Sequence, residues 1–436
     1  MTETRPGRAR PAAGLLCLLA ATAVAGPAAY AQTAAPAAPA PATPASATTP
    51  EKPAEAPAAP VSWQDGIKLN AQLDAGFTLN PDRPRDGLNF GQLFTDRANQ
   101  FLVNQVLLTA QRALDPKATG YDVGFKVQLL YGTDARFVQF LGEFNNLTND
   151  RYQLAVVEAN VAVHLPWLTD GGIDLKAGQF ATPLGYETID PSTNPFYSHS
   201  YIFSFGLPFD HTGVLTVTHV NPVLDVYLGI DSGVDTTLGS GDNNSSPGGI
   251  FGGQLTLGGG NVTILGLTHL GPENSYRVGP GADTTMRYEN DIVLTWKAND
   301  KLTLVTELNL IRDDFAKATG FGAAQYVSYA LTDQLTLNGR AEFWRDDKGF
   351  YVTGYRRGRD YVQAEYGYPT AIARPQGTYS EFTVGLTYKP TVPAPIANLM
   401  IRPEVRYDQA LSGFSPYGAG RNRGQFTAAA DVILGF

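Results

Sequence analysis

The chain has 436 residues, of which 46 are glycine, 11% are aromatic and only 17% are charged, with a formal net charge of −9. Tyrosine, phenylalanine and branched aliphatics are too plentiful for a disordered chain. A single cysteine excludes a disulfide scaffold, and an acidic chain without a basic stripe argues against a nucleic-acid partner.

The N-terminus reads as a secretory signal. Arg5, Arg8 and Arg10 precede the apolar run Leu15 to Ala25, and Ala29-Tyr30-Ala31 is an A-x-A site, so cleavage is expected before Gln32. Eleven apolar residues followed by Gly26-Pro27 fall short of the ~20 a membrane-spanning helix needs. Cys17 follows Leu16 inside the apolar core, which does not fit a lipoprotein cysteine. Residues 32–62 hold 8 prolines and 12 alanines. Such a segment offers little to bury and few backbone donors, so 32–65 is expected to be an extended periplasmic spacer.

From residue 66 onward the pattern alternates apolar and polar over runs of about ten residues, the period of a two-faced strand. In 68–79, Leu69, Ala71, Leu73, Ala75, Phe77 and Leu79 oppose Lys68, Asn70, Gln72, Asp74 and Thr78. The runs 121–131, 302–310, 335–343 and 399–407 are equally clean. Less regular runs bring the expected total to sixteen, with fourteen or eighteen also compatible, and 98–114, 262–269 and 320–331 have ambiguous facing. Connections alternate long and short along the chain. The short ones carry turn chemistry, such as Asn221-Pro222 and Gly258-Gly259-Gly260-Asn261. A soluble sandwich has no reason to gather every long loop at one end, whereas a transmembrane barrel does. No later run approaches the apolar length of a spanning helix. Because lipid cannot satisfy backbone polar groups, strands that cross it must close on themselves. The expected fold is therefore all-β, a transmembrane antiparallel up-and-down β-barrel over 66–436. Tyr121, Tyr131, Tyr288, Trp296, Tyr388 and Tyr407 suit its interfacial girdles.

The segment Gly178-Gln179-Phe180-Ala181-Thr182-Pro183-Leu184-Gly185-Tyr186-Glu187, the later Asn194-Pro195-Phe196 and the amphipathic final strand ending in Phe436 resemble bacterial outer-membrane porins, most closely the putative beta-barrel porin-2 family. The resemblance covers about 85% of the chain. It implies a Gram-negative outer-membrane protein, assembled by the barrel-assembly machinery through the strand ending in Phe436. Its surroundings would be membrane lipid and lipopolysaccharide, and it leans towards a homotrimer.

A barrel of this size leaves room for a water-filled lumen, and rings of charge select ions by sign. Strand parity turns Asp122, Lys126, Glu158, Lys176, Glu307, Arg340, Glu342, Arg402, Glu404 and Arg406 inward, either as selectivity residues or as pairs that keep the lumen polar. The third long loop, 181–210, is expected to fold in as a constriction. It carries Glu187, Asp190, Phe205 and Asp210, with Glu187 and Asp190 facing Arg340, Arg402 and Arg406 across the pore. The loop 347–376, with Tyr351, Tyr355, Arg356, Arg357, Arg359, Tyr361, Tyr366 and Tyr368, suits phosphate contacts or a solvated surface. The five histidines have no H-E-x-x-H spacing, and a polar loop with Asp231, Asp235, Asp242 and Asn243-Asn244, which could bind calcium, is ordinary without it. No catalysis, metal or cofactor is expected. The expected function is passive diffusion of small hydrophilic solutes. A substrate-specific channel and a plugged structural or adhesive barrel are the alternatives.

Overall fold

In a computed structural model, the described residues are 62–144, 151–353 and 376–436. The proposed signal and most of the spacer lie outside them, as do Tyr355, Arg356, Arg357, Arg359, Tyr361, Tyr366 and Tyr368. Sixteen antiparallel strands close into one barrel in simple up-and-down order. They are β1 Lys68–Leu79, β2 Gln100–Arg112, β3 Asp122–Gly132, β4 Gln153–Leu165, β5 Ile173–Ala181, β6 Asp210–Asn221, β7 Leu224–Val234 and β8 Gly248–Leu257. These are followed by β9 Val262–Pro272, β10 Met286–Lys297, β11 Leu302–Asp313, β12 Ala318–Ala330, β13 Leu335–Asp346, β14 Gly377–Tyr388, β15 Asn398–Ala410 and β16 Gly424–Gly435.

Closure is made by the two ends of the chain. β16 pairs with β1, setting Leu434 opposite Leu73. Two residues further, the Phe436 N–H donates to the Ala71 carbonyl at 2.8 Å and the Ala71 N–H to the Phe436 carbonyl at 3.2 Å. No strand edge is left to lipid, the condition for spanning it. The outer face is the apolar one. Leu69, Phe101, Leu228, Ile230, Phe382 and Val384 are each more than half exposed. Tyr121, Tyr131, Trp296, Tyr388 and Tyr407 are also exposed, and Tyr288 is partly so.

Two of the three runs of ambiguous facing, those of β2 and β9, have physical causes. In β2 the register with β1 shifts so that an extra residue enters, and Asn104 and Gln105 are consecutive yet both buried. A similar bulge in β4 buries both Val157 and Glu158. A bulge breaks the alternation locally. In β9 the inner face is itself apolar at Leu267, which hides the contrast between faces.

The Gly178 of the porin-like segment sits at φ +125°, and an added Cβ would lie 2.4 Å from the Ala159 carbonyl oxygen. Backbone conformation and space both require glycine there. Gly178→Ala is expected to lower the unfolding free energy by about 1–3 kcal/mol, read as a shifted urea midpoint in lipid vesicles.

Candidate channel constriction

The connection from β5 to β6, residues 182–209, turns into the barrel. Its helix α1, Tyr201–Phe205, is buried at every residue, and the Ser200 Oγ caps it by accepting the Phe203 N–H at 3.0 Å. One flank of the loop is apolar. Leu184, Phe203, Phe205, Leu207 and Phe209 join a cluster with the inward-facing Leu215, Tyr227, Ile250 and Leu267 of β6–β9. Phe94, from the connection between β1 and β2, lies 4.8 Å from the His199 ring and 5.4 Å from that of Phe203.

The other flank is polar and is tied to the barrel wall. Glu187 is the centre of this strap. Its Oε1 lies 2.7 Å from the Arg340 guanidinium and accepts the Tyr326 hydroxyl at 3.0 Å, while Oε2 lies 2.6 Å from His199 Nδ1. Burial alone would raise this carboxyl, but Arg340 and then His199 outweigh it and hold Glu187 at about 2. Arg340 also reaches Glu381 and donates to the Ser198 carbonyl at 2.8 Å.

The remaining wall charges hold loop backbone. Glu342 accepts the first N–H groups of α1, from Tyr201 at 2.6 Å and Ile202 at 2.7 Å, where exposed amides favour an anion. Glu404 accepts the N–H groups of Tyr197 and Ser198 at 2.8 and 3.2 Å. Glu307 accepts that of Tyr186 at 3.0 Å. Arg402 pairs with Asp431 and donates to the carbonyls of Pro191 and Asn194 at 2.7 and 2.8 Å. Arg406 pairs with Asp408 at 2.7 Å and donates to the His199 carbonyl at 2.6 Å.

The expected field across an open gap is therefore not what the loop builds. Glu187 touches Arg340 directly. Asp190 faces none of the three arginines named for it: it caps the turn Pro191–Thr193 by accepting the Ser192 N–H at 3.0 Å, and it accepts from the Gln72 amide at 3.0 Å. Phe205 is buried within α1, 5.9 Å from the Tyr201 ring. Asp210 is not in the loop at all. It is the first residue of β6, fully buried, and its N–H donates to Asp235 at 2.8 Å.

The wall opposite the strap differs. Lys126 and Lys176 approach Glu158 at 2.9 and 4.0 Å, yet their side chains keep 22% and 32% of their exposure. Towards the short-turn end, Asp174 and His219 lie 3.3 Å apart and remain 35% and 30% exposed. Asp122 pairs with Arg112 at 2.9 Å near the same rim. Arg340, Arg402 and Arg406, by contrast, are at most 2% exposed. Below the loop, over β12–β15, a cavity of about 330 Å³ is lined by residues that include Tyr186, Pro195, Asn338 and Lys389.

Several partners were not legible as site residues. Gln72, Asn104 and Gln105 meet the loop from β1 and β2, with Gln105 donating to the Ile189 carbonyl at 2.9 Å and Tyr197 to Asn104 at 2.7 Å. Their one sequence signal was uncharged polarity on an inward face.

A closed, lipid-exposed barrel narrowed from within by one of its own loops defines a transmembrane β-barrel channel. The sequence of residues 66–436 matches the family described as Putative beta-barrel porin-2, OmpL-like, and the chain belongs to that family. It is an outer-membrane porin, a channel for diffusion of small solutes.

Among solved structures it is similar to an anion-selective porin from Comamonas acidovorans, at 9% identity over 85% of this chain and 99% of the other, with a TM-score of 0.53. It is also similar to OprB of Pseudomonas putida, at 12% identity over 86% and 95%, TM-score 0.53. The outer-membrane channel DcaP of Acinetobacter baumannii shares 11% identity over 85% and 97%, TM-score 0.50. At these identities the likeness is one of fold. No curated protein matches the sequence.

Proposed function

We propose that small hydrophilic solutes cross this porin passively along the wall of β3–β7, past Lys126 and Lys176, and not through the centre of the barrel. The observation that carries this reading is the contrast in exposure. The interior charges of β13–β15 are consumed in holding loop 182–209, whereas Lys126, Lys176, Asp174 and His219 keep surface inside the barrel. Two lysines against Glu158 leave one net positive charge at that level of the wall, which favours anions. No chemical step is assigned. Export through removal of residues 1–31, a spacer over 32–65, assembly through the strand ending in Phe436, contact with lipopolysaccharide, and a homotrimeric state complete the proposal.

The test is planar-bilayer recording of protein refolded from residue 32 onward, in a potassium chloride gradient. Ohmic channels of small conductance are expected. Replacing both lysines, Lys126→Glu with Lys176→Glu, should move the reversal potential towards cation preference. An unchanged reversal potential would place the path elsewhere. The density of the strap favours one second reading, a barrel plugged by its loop. Silence from correctly folded protein would establish it.

A further inference from the structure

At the long-loop end of the barrel, β6, β7 and β9 bring together His211, Asp231 and His269. One nitrogen or oxygen from each lies within 4.8 Å of the others. His211 and His269 are fully buried and Asp231 is 5% exposed. The donor atoms are turned inward by what holds their far sides. His269 keeps Nε2 3.1 Å from Asp231 Oδ1, and its Nδ1 lies 3.1 Å from Glu289 on β10. His211 keeps Nδ1 3.3 Å from Asp231 Oδ2, and its Nε2 lies 3.1 Å from the Thr182 hydroxyl. Each imidazole thus has one nitrogen on an outer partner and the other turned to the Asp231 carboxylate, hydrogen-bonded to it in the case of His269, and outer partners of this kind orient metal-bound histidine.

Two further observations bear on what the cluster is for. His211 Nδ1 and Asp231 Oδ2 are buried and face each other at 3.3 Å, but neither makes a well-formed hydrogen bond. A buried pair held this loosely would be better satisfied by a bridging ion. β8 runs between β7 and β9 and passes the cluster with Gly248. A Cβ there would lie 2.5 Å from Asp231 Oδ1 and 2.6 Å from His269 Nε2. The intervening strand is bare where the side chains of its neighbours meet across it.

We infer that His211, Asp231 and His269 form a binding site for one divalent transition-metal ion of the zinc class, which fastens the base of the constriction loop. Neutral imidazole nitrogen and one carboxylate suit that class over calcium or magnesium. Ligands about 2.0–2.1 Å from a tetrahedral ion stand about 3.3 Å from one another; His269 meets Asp231 Oδ1 at 3.1 Å and His211 meets its Oδ2 at 3.3 Å, and the three donor atoms, within 4.8 Å of one another, would draw together around the ion. Three protein ligands leave a fourth position for water or solute. The ion would join β6, β7 and β9, and through Thr182 the first residue of the loop.

The probe is zinc chloride added to chelator-treated, refolded protein, with cobalt chloride as a spectroscopic substitute. The expected result is one ion per chain, a thermal midpoint that climbs with zinc concentration, and visible absorption of tetrahedral cobalt. His211→Gln should abolish all three. Glu289→Gln, which leaves the ligands in place, should weaken binding about 10- to 100-fold. Gel mobility before and after heating reports whether each variant has folded. The wild-type protein decides the matter even if His211→Gln does not fold: no zinc-dependent midpoint overturns the site. Stoichiometric binding that persists in a folded His211→Gln variant also overturns it.

Discussion

Arg340→Ala is expected to both destabilise the porin and widen its channel. The guanidinium is the joint between the loop and the wall, contacting Glu187, Glu381 and the Ser198 carbonyl. Its removal takes the guanidinium from two buried carboxylates and one carbonyl, leaving Glu187 to Tyr326 and His199 and Glu381 to Thr383. Breaking one partner of a buried ion pair costs about 3–5 kcal/mol, which should appear as a lowered urea midpoint. Loop 182–209 would then be held chiefly by Arg402, Arg406, Glu342 and Glu404, and single-channel conductance should rise. Arg340→Lys should recover only part of the loss, because an ammonium cannot reproduce a fork that serves Glu187 and Glu381 together. Wild-type stability and conductance in Arg340→Ala would contradict the strap.

Acid should release the same joint. Glu187 stands at about 2 in the folded protein against 4.5 for a free glutamate, a difference worth about 3 kcal/mol at neutral pH. The folded value is the lower one, so the stabilisation is fully present above the unfolded value. It is lost progressively as pH falls from about 5 through about 2. Conductance recorded down that range should be steady near neutrality and increase at the acid end. In Glu187→Gln that acid step should vanish, because the amide does not titrate. A step that persists in Glu187→Gln would assign it to another carboxylate.

Much of the architecture was legible in the sequence because barrel strands are read locally. A strand with lipid on one side and polar surroundings on the other alternates with period two. β11, β13 and β15 show this plainly, and the alternation of long and short connections oriented the barrel. Reading failed where that local contrast fails. The bulges beside Asn104 and Val157 reverse parity midway along β2 and β4. Leu215, Tyr227, Ile250 and Leu267 face inward yet are apolar, because there the barrel interior is loop and not water.

The inward charges show the same limit more sharply. Parity turned Arg340, Arg402 and Arg406 towards the lumen, but parity says nothing about what fills it. Arg406 reaches the His199 carbonyl across 207 positions of sequence, and Glu404 reaches Tyr197 across 207. The sequence by itself pointed to an outer-membrane barrel of about sixteen strands with a third loop long enough to enter it, and closure at sixteen is a fact of the fold. Tertiary structure alone decided which wall that loop is tied to, because backbone amides and carbonyls far apart in the chain carry no signature in residue type. It therefore also decided which charges are spent on holding the loop and which remain on the path.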